Sequence, residues 1–160
     1  EMFNQAHAFN GSVDWDVSSV EDMAGMFFHT GAFNQDISNW DTSSVTNMFR
    51  MLNDARAFDQ NLGAWDIGNV TNMEIMLFDS ELSTPNYDAT LIGWAEDSSG
   101  TPDDGIDDIP RGIVFHGGHS RYCLGETARN LLTAPSLVPD NHADPACPGY
   151  TLPKPVLRRR

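Results

Sequence analysis

The sequence predicts an α/β solenoid of units of about 25 residues, each a short strand or turn followed by a short helix, closed by a C-terminal cap. Three observations carry that prediction. Trp15-Asp16, Trp40-Asp41 and Trp65-Asp66 recur at one spacing, and Phe9, Phe33 and Phe58 precede them. Val20, Val45 and Val70 then lead into Met23, Met48 and Met73, followed by Met26, Met51 and Met76. The pattern stops after residue 81, where Pro85-Asn86 opens a segment with a different rhythm.

Within a unit, Val13–Trp15, Ile37–Trp40 and Leu62–Trp65 read as short extended segments. Ser19, Ser44 and Asn69 read as helix N-caps, with Asp22, Asn47 and Asn72 in the reciprocal position three residues on. Val45, Met48, Met51 and Leu52 then follow helical spacing. A helix of two to three turns is too short to stand alone, so it must stack on its neighbours. The methionine stripe reads as core between layers rather than as a copper or groove motif.

The closing segment follows the same logic. Tyr87 to Trp94 reads as a helix after Pro85-Asn86, Ile113-Val114-Phe115 as a short strand and Glu126 to Leu132 as a second helix. Prolines recur from Ala134 onward, which argues against regular structure there. The expected organisation is repeats over 1–81, a capping segment over 82–134 containing an acidic loop at 96–108, and a Pro-rich tail over 135–160. Met2-Phe3 matches Met26-Phe27, so the first unit reads as incomplete and further repeats are expected upstream.

Charge narrows the function classes. The net charge is −14, and Lys154 is the only lysine, close to Arg158, Arg159 and Arg160 in the last positions. An acidic body repels phosphate backbones and anionic membranes, so nucleic-acid binding is not expected. No apolar run is long enough to span a bilayer, and no signal peptide is visible. Cys123 and Cys147 suit either a disulfide in an oxidising compartment or two unrelated buried thiols. The irregular segment around Pro145, Pro148 and Gly149 favours the disulfide, because such a segment gains most from a staple.

Candidate ligand positions come from the repeat rows. Trp15, Trp40 and Trp65, with Asp16, Asp41 and Asp66, form ladders if the units stack, and Asn34 and Asp59 form another. Stacked aspartates either accept N–H bonds from the residues just after them, as Asx-turns, or hold a cation. Asp103, Asp104, Asp107 and Asp108 lie in a loop with Gly100 and Gly105, where oxygen ligands for calcium can converge, although the EF-hand pattern is absent. A solvated acidic loop is the competing reading. His116, His119 and Cys123 lack the spacing of a zinc finger and a fourth ligand. Asn10-Gly11-Ser12 and Asn69-Val70-Thr71 are glycosylation sequons.

The phrase FNQDISNWDTSSVTNM at 33–48 resembles the repeat of BspA-type leucine-rich surface proteins, the DUF285 repeat. LSTPNYDATLIGW at 82–94, FHGGHSRYC at 115–123 and GETAR at 125–129 resemble the segment that often closes such arrays. His116 and His119 depart from that segment, which carries Asp or Asn there, and the acidic stretch Glu96 to Asp108 is an insertion. The resemblance implies a leucine-rich-repeat-like solenoid that is secreted or surface-anchored, adhesive and without catalytic residues. The function expected is an extracellular or cell-surface binding module contacting protein or glycan. The alternative is a self-assembling structural subunit of an extracellular filament or appendage, with calcium at the acidic loop.

Overall fold

The structure, a computed structural model, describes residues 2–95 and 113–133, with side chains to residue 129. It overturns the expected strand-plus-helix solenoid. The repeats contain no helix, and among the described residues there are two, α1 (Thr84–Ala95) and α2 (Glu126–Thr133), both in the closing segment. In place of strands there are three isolated parallel bridges, Asp22 to Asn47, Asn47 to Asn72, and Met73 to Phe115. The predicted strand at 113–115 is reduced to the last of these.

The physical reason lies in where the backbone N–H groups go. Met23, Gly25, Phe27 and His29 donate to the carbonyls of Asn47, Phe49, Met51 and Asn53 in the next unit, at 2.8–2.9 Å. The alternate residues Met26, Phe28 and Thr30 donate three residues back, to Met23, Gly25 and Phe27. The next unit repeats the pattern from Met48, Arg50, Leu52 and Asp54 onto Asn72, Glu74, Met76 and Phe78. A helix needs every N–H for its own turn, so half the donors cannot serve a neighbour and a helix at once.

Left-handed residues enforce the alternation. Gly25, Arg50 and Ile75 have φ of 60°, 56° and 50°, and His29, Asp54 and Asp79 have φ of 57–58°. The reciprocal residues that read as a capping box make Asx-turns instead, with Asp22, Asn47 and Asn72 accepting from Ala24, Phe49 and Glu74. This local bonding competes with the helix that the apolar spacing suggested. Ser44 and Asn69 likewise donate across layers, to the carbonyls of Ser18 and Ser43, rather than capping a helix.

The core runs through the layers as columns. Met23, Met48, Met51, Met73 and Met76 are at most 3% exposed. Phe9, Phe33 and Phe58 stack at 6.0 and 5.8 Å between centroids. Trp15, Trp40 and Trp65 follow at 6.0 and 6.5 Å. Contacts of this kind add about 0.5–1.5 kcal/mol per pair beyond area burial.

Both predicted helices of the closing segment are present. In α1, Tyr87, Leu91 and Trp94 form the inward stripe, and Pro85 sits in the first turn, where its missing N–H is not needed. Gly93 lets α1 approach the third repeat, since a Cβ there would meet the Gly63 carbonyl oxygen at 2.3 Å. Asp88, 6% exposed, accepts from the backbone N–H groups of Cys123, Leu124 and Gly125 at 2.8–3.1 Å, just ahead of α2. A carboxylate there meets the positive end of α2 and its free donors. Beside it, burial pushes the Tyr87 phenol well above its usual range.

Candidate functional site

The sequence rows divide into inner and outer ones. Trp40 and Trp65 are 5% and 2% exposed, and their indole N–H groups donate to the carbonyls of Val13 and Ile37. Trp94 does the same to Leu62 at 2.8 Å, so the closing helix supplies a fourth tryptophan rung. Trp15 is half-buried on the first layer. These tryptophans hold the layers together, and Trp40 and Trp65 offer no face to a ligand.

The aspartate row is an outer one. Asp16 accepts from the Ser18 hydroxyl at 2.7 Å and its N–H at 3.1 Å, and Asp41 accepts from Ser43 at 2.6 and 3.1 Å. Asp66 accepts from the Gly68 N–H at 2.9 Å. The Asx-turn is therefore the arrangement present. The hydroxyls of Ser18 and Ser43 hold the carboxyls of Asp16 and Asp41 below the usual aspartate range, with backbone N–H groups adding to the effect.

Asn34 and Asp59 belong to an amide ladder. Asn10 accepts from the Asn34 N–H and the Gln35 side chain, and Asn34 accepts in turn from the Asp59 N–H and Gln60. Asp59 accepts from Ser83 and Asn86 at the start of α1. Burial raises the Asp59 pKa, but the donors from Asn86 and Ser83 outweigh it and the net shift is downward. An open cleft of roughly 430 Å³ lies beside it, lined by Asp59, Glu81, Leu82, Ser83, Thr84 and Arg121.

One edge carries ionic contacts. Asp54 bridges His29 Nδ1 and Arg56 Nε, each at 2.5 Å, and His119 lies 3.4 Å from Asp79. Burial opposes ionisation of Asp54, yet the hydrogen bonds from His29 and Arg56 leave its pKa lowered. The residues of the zinc reading are separated by task. His116 Nδ1 accepts from the Ile75 N–H, His119 faces Asp79, and Cys123 is bound through its N–H to Asp88. Among the described residues no three His, Cys, Asp or Glu side chains converge as metal ligands. The calcium candidates Asp103, Asp104, Asp107 and Asp108 lie outside the described residues, as do Cys147 and the tail.

The sequence reading missed one surface feature. The Arg50 guanidinium sits over the rings of Phe49 and Phe28, 4.9 and 5.7 Å from their centroids. Phe78 stands in the same column as Phe28, two layers on, and is 44% exposed. The available signal was the run Gly25, Arg50, Ile75 at one repeat position, where glycine is the comfortable residue.

A family model described as "Mycoplasma protein of unknown function, DUF285" matches residues 1–89, more than half of the chain. No curated protein and no solved structure matches.

Proposed function

We propose a non-catalytic binding role for this chain, which belongs to the DUF285 family: an extracellular or cell-surface module whose repeat surface contacts protein or glycan. The observation that supports it is the fixed register of the outer rows. Asp16, Asp41, Ser18 and Ser43 are exposed with their geometry set by Asx-turns, and Thr46 and Thr71 stand exposed one row away. A surface held by layer-to-layer bonds binds without first being ordered, which lowers the cost of association. Its likeness to BspA-type surface proteins supports the extracellular setting, and the Cys123–Cys147 disulfide belongs to the same proposal. Alkylation of the unreduced, unfolded chain should then label neither cysteine. The binding test is the immobilised chain against matrix-protein and glycan arrays. Saturable retention supports the reading, and no retention on either array removes it.

A further inference from the structure

The junction between the third repeat and the closing segment holds the open cleft of roughly 430 Å³ beside Asp59. Its volume falls within the range of about 300–1,000 Å³ usual for small-ligand sites. The fold gathers its lining from three places in the chain: Asp59 from the third repeat, Glu81 to Thr84 from the link into α1, and Arg121 from the segment ahead of α2.

Asp59 is held in one orientation. Its Oδ1 accepts from the Ser83 N–H at 2.8 Å, and from the Ser83 hydroxyl and the Asn86 side chain at 2.9 Å each. Its Oδ2 has no hydrogen-bond partner among the described residues. Burial opposes ionisation, yet the donors from Asn86 and Ser83 keep the group below the usual aspartate range. At neutral pH a charged oxygen is therefore left to accept. Glu81 and Arg121 are exposed, and neither forms an ion pair with the other or with any described residue. The cleft thus carries unpaired charges of both signs. Leu82, its one apolar lining residue, is 1% exposed.

We propose that this cleft binds a neutral sugar unit of a glycan, whose hydroxyls donate to Asp59 and Glu81 and accept from Arg121. The lining selects that class by exclusion. Arg121 opposes the cationic side chain that an acidic protein otherwise attracts, and the two carboxylates oppose an anion. A peptide anchored through an apolar side chain finds no exposed apolar surface there. A hydroxyl both donates and accepts, so neighbouring sugar hydroxyls serve the carboxylates and the guanidinium without bringing charge. The inference rests on the binding-module reading and names the ligand class and its place.

The probe is an array of neutral oligosaccharides, with each retained sugar then titrated into the intact, isotope-labelled chain and followed by amide NMR. Saturable shifts are expected at 59, 81–84 and 121. Glu81→Ala and Arg121→Ala should each weaken binding at least tenfold with the melting temperature unchanged, since neither side chain has an ionic partner in the fold. Asp59→Asn should do the same, because it keeps an oxygen for Ser83 and Asn86 and replaces the free acceptor with a donor.

A retained sugar that binds all three variants as it binds wild type, or shifts only amides away from the cleft, overturns the proposal while leaving the binding-module reading standing. Retention on matrix proteins alone, with no neutral glycan retained, does likewise. Glycine or a lysine-rich peptide shifting the cleft amides when no neutral sugar does so overturns it in favour of an amine ligand. No retention on glycan or matrix arrays removes both.

Discussion

The repeats and the closing segment meet one interface with different backbones. In the repeats, residues 2–81, each layer is made of turns, and alternate N–H groups cross to the next layer. In the closing segment two helices spend their N–H groups on themselves, yet the same acceptors are served. Trp94 donates to Leu62 as Trp65 donates to Ile37. Asn86 donates to Asp59 as Gln60 donates to Asn34. Ser120 turns back onto Gly117 as Ser80 turns back onto Leu77. An exposed layer thus specifies the positions of donors and apolar groups, not the secondary structure that delivers them. The helix-to-repeat contact also needs the Gly63–Gly93 approach, for which the turn-built layers have no counterpart.

The strongest way to break this equivalence is to delete the indoles. Trp65→Ala and Trp94→Ala should each cost about 3–5 kcal/mol in chemical denaturation. A loss below about 1 kcal/mol for Trp94→Ala alone would show that the fourth rung is incidental. Next, Asp88→Ala should cost about 2–3 kcal/mol, because three N–H donors lose a charged acceptor. Hydrogen exchange should then quicken over 113–133 and α1 while Met23, Met48 and their neighbours keep their protection. Uniform loosening would mean that the two regions unfold as one unit.

Smaller effects sharpen the comparison from the repeat side. Ile75→Gly should relieve left-handed strain worth about 1–2 kcal/mol, against the lost Ile contacts and the added freedom of the unfolded chain. A net gain near 1 kcal/mol is expected by thermal unfolding, and a loss would show that the Ile75 side chain supports the fold. The smallest effect tests the junction by pH. The folded pKa of Asp59 lies below its unfolded value, about 3.9. Its contribution is therefore complete above that value and lost as pH falls through the lower, folded one. Asp59→Asn keeps the ladder, as Asn10 and Asn34 do, and should reduce the loss of unfolding free energy below about pH 4 by a few tenths of a kcal/mol, read by chemical denaturation. An unchanged acid limb would mean other aspartates carry it.

Much of the candidate site was legible as position but not as direction. The tryptophan and aspartate rows were plain from their spacing, whereas the Asx-turn that occupies Asp16, Asp41 and Asp66 was one of two readings, beside a bound cation. That Trp40 and Trp65 face inward was not, because the row repeats identically whichever side it faces. Arg50 was passed over because the alignment of Gly25, Arg50 and Ile75 at one repeat position does not by itself say that the position is left-handed.

The sequence by itself determined the repeat, its register, the apolar columns and both closing helices, since each follows from spacing and local capping chemistry. Only the tertiary structure decided that the repeats hold turns rather than helices. Val45, Met48, Met51 and Leu52 satisfy a helical stripe equally well when they line a turn-built layer. The choice is made by neighbouring layers, whose carbonyls take alternate N–H groups and leave too few for a helix. No single repeat contains that information, because its bonding partners belong to the units on either side.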